Sequence, residues 1–185
     1  MKCKLVMMKN KKIIISGPPG SGKTTIINAL KEKGYLVHSE VNPQEIYKKV
    51  SKLELSNYIF KKRIEQYQKP LIKRTQSNIK TKTKDTLMFF DRSMIDVIAY
   101  MNFWKETYPE KWDHTISTYR YEKNIFYAPN WEEIYKTTVE RPEHYIEAEK
   151  IDLFLRKAFL KYNYNIIELP KLNADKRVNF ILDQI

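Results

Sequence analysis

Apolar residues along this chain occur in two textures. Five short runs are almost unbroken and rich in β-branched or aromatic side chains, at 12–16, 35–38, 86–90, 124–129 and 164–170. Runs of that length without alternation predict strands covered on both faces, as in a parallel sheet. Between them apolar residues return every three or four positions, which predicts helices. Ile26, Ile27 and Leu30 mark a helix over 24–33, closed by Gly34. Ile46, Val50, Leu53, Ile59, Phe60 and Ile64 mark helical structure within 44–84, divided at Pro70. Ser93, with Asp96 three positions on, has the form of a capping box and opens a helix through Val97, Ile98, Met101 and Trp104. Residues 105–120 read as loop plus a short helix. Pro142 starts a long helix with Tyr145, Ala148, Ile151, Leu155, Phe159 and Tyr162 on one face. Val178, Ile181, Leu182 and Ile185 mark a closing helix over 175–185. Strands alternating with helices predict an α/β fold, a mostly parallel sheet in a single domain over 1–185.

The first strand and the first helix are joined by Gly17-Pro18-Pro19-Gly20-Ser21-Gly22-Lys23-Thr24, followed by Thr25. This is G-x-x-x-x-G-K-[ST], the phosphate-binding loop or Walker A motif, in the strand–loop–helix context that it requires. Its glycines let backbone N–H groups approach phosphate oxygens at a helix N-terminus. Lys23 can reach the β- and γ-phosphates, and the Thr24 hydroxyl can ligate Mg²⁺. The motif therefore predicts ATP and Mg²⁺ as cofactors, held along 17–25.

The other strands deliver candidates at the same edge, where ligands bind in open α/β sheets. Asp91, Arg92 and Ser93 follow the third strand, and an apolar run ending in Asp has the form of a Walker B strand whose carboxylate acts on Mg²⁺. Asp91 and Thr24 are thus the metal candidates, and Arg92 joins the catalytic ones. Glu40 lies just past the second strand, in a loop that Pro43 keeps out of helix. The helical stretch at 44–84 carries many lysines and arginines on its polar face, from which Arg63, Gln66 and Tyr67 are singled out as possible lining of an acceptor pocket. The polar stretch at 130–145 suits a lid closing over phosphates, with Arg141 and Arg156 as its candidate cations.

Composition changes this picture little. The 185 residues are 42% hydrophobic, enough for a real core. There is one cysteine, Cys3, in a stretch (1–10) that reads as a loose leader, so no internal disulfide forms. No membrane-span pattern and no secretory signal appear, and a cytoplasmic setting is expected. Three scattered histidines give no metal-ligand spacing. The net charge of +12 allows a nucleic-acid partner, but lysines spread along the whole chain favour a solvated surface.

Taken together, the loop at 17–25, Glu40, and Phe89-Phe90-Asp91-Arg92-Ser93 resemble the P-loop kinase group that includes deoxynucleoside kinases, thymidylate kinase and the nicotinamide riboside kinase domain. The chain is more closely similar to small P-loop ATPases or kinases grouped with that last domain. It shares with them the spacing Asp-Arg-x-x-x-Asp-x-x-x-Tyr from Asp91 to Tyr100 and the ending Arg177-Val178-Asn179-Phe180-Ile181-Leu182. The resemblance implies a five-stranded P-loop sandwich of strand order 2-3-1-4-5. It implies that Asn173 and Ala174 lie near the adenine, and that Glu40 takes the proton of an acceptor hydroxyl. Residues 44–84 match no acceptor motif of these families, so the acceptor stays open. Three functions compete. The first is transfer of the ATP γ-phosphoryl group to a small acceptor, a nucleoside or nucleotide. The second is an ATPase driving a partner's conformation, and the third is a polynucleotide end kinase. ATPases of the AAA type usually carry a second acid directly after the Walker B aspartate, where this chain has Arg92, which favours the kinase.

Overall fold

The computed structural model describes residues 10–43, 50–69, 87–135 and 145–185. Five parallel strands form one sheet: β1 (Lys11–Ser16), β2 (Leu36–His38), β3 (Leu87–Asp91), β4 (Asn124–Tyr127) and β5 (Asn165–Glu168). Their spatial order is β2-β3-β1-β4-β5, as expected. The helices are α1 (Lys23–Glu32), α2 (Lys52–Gln68), α3 (Met94–Phe103), α4 (Lys111–Thr118), α5 (Tyr145–Lys161) and α6 (Ala174–Asp183), with a 3₁₀ turn at Glu132–Ile134. Residues 1–9 of the expected leader (1–10), 44–49 and 70–84 of the helical stretch, and 136–144 of the expected lid, Pro142 among them, lie outside the described residues.

The unbroken strands are explained by two cores. Successive side chains point to opposite faces. On β1, Ile13 and Ile15 join Phe89, Phe126, Leu30, Val178 and Ile181 beneath α1 and α6. Ile14 faces the other way and joins Phe90, Tyr127, Ile98, Leu155 and Phe159 beneath α2, α3 and α5. Ile13, Ile14 and Ile15 are fully buried, as a strand flanked by helices on both sides requires. No helix among the described residues is long and apolar enough to cross a membrane.

Local chemistry sets the boundaries. Gly34 takes φ 87° after α1, and the Tyr35 N–H donates to the Leu30 carbonyl, so the chain turns straight into β2. The register Ile15↔Asp91 puts the ends of β1 and β3 side by side. Gly17 at φ 143° brings the chain so close to β4 that a Cβ there would lie 2.1 Å from the Ala128 carbonyl oxygen. These constraints aim the loop after β1 across the carboxyl edge of the sheet.

Candidate functional site

The loop between β1 and α1 has the form of an anion cradle. α1 begins at Gly22, in the left-handed region with φ 81°, and no side chain caps it. The amides of a first helical turn have no acceptor within their helix, so here they face outward for a ligand. Lys23 is buried, and its ammonium folds back onto the Pro18 carbonyl (2.7 Å) and Ser21 Oγ (3.3 Å). Burial, and next the Arg92 charge, lower its pKa to about 7 against the opposing pull of Glu40, Asp91 and Asp96. Thr24 is exposed, with Oγ1 3.4 Å from Asp91 Oδ2.

Asp91 ends β3 with no exposed surface, and its Oδ1 has no partner among the described residues. Burial, then the Glu40 charge, raise its pKa, opposed by Lys23, Arg92 and Arg63. An unsatisfied, buried carboxylate oxygen beside a hydroxyl fits a hard cation that takes oxygen ligands, and Mg²⁺ ordinarily takes only one or two from protein. No cluster of three or more potential metal ligands occurs among the described residues.

Arg92 turns the chain out of β3 at φ 67°, an uncommon value for a residue with a side chain. Its guanidinium is held from three sides. Nε donates to Glu40 Oε1 at 2.5 Å, Nη1 donates to the Gly17 carbonyl at 3.2 Å, and Nη1 lies 3.7 Å from Asp96 Oδ1. Glu40 is 39% exposed through its side chain, so it stands at the mouth of the site. Burial pulls its pKa up, but the charges of Arg92, Lys23 and Arg63 outweigh this and hold it at about 2.

Asp96 both caps and braces. Its Oδ2 accepts from Ser93 N (2.7 Å) and Ser93 Oγ (2.8 Å), while its Oδ1 accepts from Ser16 Oγ (2.5 Å). The expected capping box is therefore present, and the same carboxylate ties α3 to the last residue of β1. Sequence spacing showed the cap but gave no sign of the bond to Ser16.

The three residues expected to line an acceptor pocket separate. Arg63 is buried, 2% exposed, and Nη1 donates to the Asp91 carbonyl (2.5 Å) and to Gln66 Oε1 (3.2 Å). Gln66 donates to the Ser39 carbonyl (2.9 Å), next to Glu40. Tyr67 is a correction. One helical step round α2, it packs on Tyr121, and its hydroxyl donates to the Arg120 carbonyl (2.7 Å). The Lys12 ammonium sits 3.4 Å from its ring centre, at the amino end of β1 and so the opposite edge of the sheet. Arg156 is a second correction. It pairs with Asp152 and Glu168 at 2.9 Å each, over the Tyr127 ring, rather than reaching the loop. Arg141 lies outside the described residues. Asn173 caps α6 by accepting from Lys176 N, with Ala174 next to it.

Two neighbours of the loop carried no role in the sequence reading. The Tyr135 ring packs so tightly on Gly20 that a Cβ there would lie 2.4 Å from it. Arg177, quoted only as part of a shared ending, reaches from α6 to donate to the Ser21 carbonyl at 3.0 Å. Neither has a spacing that distinguishes it from any surface tyrosine or helical arginine.

Residues 12–177 match the AAA domain family, which spans the loop, the Asp91–Asp96 segment and both core layers. The chain belongs to this family. No curated protein matches it. Among solved structures, this AAA-domain chain is similar to deoxyadenosine kinase from M. mycoides with bound dATP, at 15% identity and TM-score 0.63, covering 95% of this chain and 98% of that one. It is also similar to thymidylate kinase from Ehrlichia chaffeensis (12% identity, TM-score 0.60, 95% and 98% covered) and from Candida albicans (16%, 0.60, 96% and 91%). The fold is thus that of P-loop nucleoside and nucleotide kinases.

Proposed function

We propose that this protein transfers the γ-phosphoryl group of ATP to a small acceptor, a nucleoside or nucleotide. The observation that carries this reading is the Glu40–Arg92 pair. It sets an ionised, half-exposed carboxylate past the end of β2, the strand beyond β3 and Asp91, where a second substrate can reach it. An arginine directly after Asp91, engaged by Glu40, Gly17 and Asp96, leaves that position without an acid to polarise water.

The roles follow from phosphoryl transfer, which asks mainly for position and charge neutralisation. Lys23 turns from the Pro18 carbonyl to the β- and γ-phosphates, and the amides along 20–25 hold the chain of phosphates. Thr24 and Asp91 hold Mg²⁺, which when bound neutralises charge on the β- and γ-phosphates. Arg92 fixes Glu40 and adds a cation beside the loop. With its pKa near 2, Glu40 is a weak base, so it orients the acceptor hydroxyl and takes its proton late, once the oxygen has become acidic. Gln66 holds the Ser39 carbonyl next to Glu40, and Arg63 holds the carbonyl of Asp91. Asn173 and Ala174 stand on the adenine side, and Arg141 is the cation of the lid.

Labelled ATP offered with nucleosides, nucleotides and oligonucleotide ends, beside a control without acceptor, tests the assignment. Label appearing in a nucleoside or nucleotide supports it. Phosphate release independent of every acceptor would replace it with an ATPase, the activity that the family description leaves open.

A further inference from the structure

Arg177 has no part in the reading above, yet it is 2% exposed and its guanidinium sits against the start of α1. Nη1 donates to the Ser21 carbonyl (3.0 Å) and lies 3.1 Å from where a Cβ on Gly22 would stand. Nε and Nη2 are buried and have no acceptor among the described residues. Those two nitrogens form one edge of the guanidinium, the fork whose parallel N–H groups match two adjacent oxygens. Burial alone lowers the pKa of the group, to about 10, with no carboxylate opposing it. On its other side, the guanidinium carbon lies 5.8 Å from the centre of the Trp131 ring.

Buried donors without acceptors are rare and need a reason. Holding Ser21 explains one N–H group but not the other edge. An arginine left with a complete two-donor edge beside an anion cradle has the chemistry of a phosphate ligand. We propose that Arg177 is a nucleotide-binding residue of the donor site. Its Nη1 holds the loop at Ser21 while the Nε–Nη2 edge takes two adjacent oxygens of the nucleotide's phosphate chain, with Trp131 shielding the guanidinium from water. This rests on the proposal that the loop at 17–25 binds a donor nucleotide, and it adds a cation from the last helix of the chain.

Calorimetric titration of ADP, ATP and GTP into wild type, Arg177→Lys and Lys23→Ala tests it, with a melting curve for each protein. Lysine keeps the charge and one bond to Ser21 but not the fork, so melting should be little changed. All three nucleotides should bind about tenfold or more weakly, by a common factor, as the loss of a charge-assisted pair implies. Wild-type affinity in Arg177→Lys would overturn the proposal, and so would a loss confined to the two adenine nucleotides or to GTP, which would mean that the fork reads the base. Should the variant fail to fold, the wild-type protein still decides. The Arg177 Nε–Hε NMR signal should shift and its hydrogen exchange slow when ADP is added, and an unchanged signal rejects the role. If wild type binds no nucleotide, or Lys23→Ala binds as well as wild type, the donor-site reading itself fails. Binding that depends on Lys23 but not on Arg177 removes this inference alone.

Discussion

At the scale of single residues, Lys23 sits closest to balance. Burial and Arg92 hold its pKa at about 7, while a bound phosphate chain needs the charged form. Nucleotide binding should therefore take up a proton above pH 7. Affinity should be level below that pH and weaken above it by up to about tenfold per unit. Titrations in buffers of different ionisation enthalpy measure the uptake. The extra weakening should vanish in Lys23→Arg, which does not titrate in this range. Lys23→Ala should lower turnover by about a hundredfold or more, since it removes a fixed cation aimed at developing charge. The two carboxylates divide differently. Asp91→Asn should impair Mg²⁺-dependent turnover with every acceptor. Glu40→Gln should cut transfer by about 10²–10⁴-fold and leave ATP binding nearly unchanged. Separate transfer and binding assays on the two variants check that division, and unchanged transfer in Glu40→Gln would remove Glu40 from the reaction.

At the scale of elements, the start of α3 links the helix layer to the loop. The capping box alone was legible as Ser93-x-x-Asp96, because it depends on spacing within four residues. The bond from Ser16 Oγ to Asp96 joins residues 80 apart, and only the pairing of β1 with β3 brings them together. Asp96→Ala should thus remove a cap and leave the buried Ser16 and Ser93 hydroxyls short of partners. A loss of about 2–4 kcal/mol in urea denaturation is the expected cost. Turnover should fall further than partial unfolding explains, because Ser16 adjoins Gly17. α2 gives the opposite lesson. Its Ser51–Glu54 capping box and helical spacing set where it lies in the chain, but not which polar residues turn inward. Read from sequence, Arg63, Gln66 and Tyr67 group as acceptor-pocket lining, yet Arg63 is buried against Asp91 and Tyr67 falls at the far edge of the sheet.

At the scale of the molecule, a net charge of +12 and the phosphate loop make distinct predictions. Oligonucleotide binding through dispersed lysines should collapse as salt rises, with a steep logarithmic slope. ADP binding in the loop, set by buried cations and amides, should fall far less over the same range. Fluorescence titrations of both ligands at several salt concentrations separate the two. An oligonucleotide affinity that resists salt and competes with ADP would instead favour a polynucleotide end kinase.

The sequence by itself determined the parts of this protein that depend on local order. These are the buried central strands β1 and β3, the phosphate loop with its flanking strand and helix, the cap of α3, and five strands in the order 2-3-1-4-5 through resemblance. Each is encoded by neighbours a few residues apart, or by a motif whose glycines and lysine must be contiguous to cradle a phosphate. The tertiary structure decided everything that depends on meeting across the sheet. It closed Glu40 onto Arg92, laid Arg63 against Asp91 and sent Tyr67 away. It also brought Arg177 across 156 residues of chain to Ser21. Polar side chains carry no periodic signature. Their partners are set by the order of strands and the tilt of helices, and these follow from how two apolar cores close on opposite faces of one sheet.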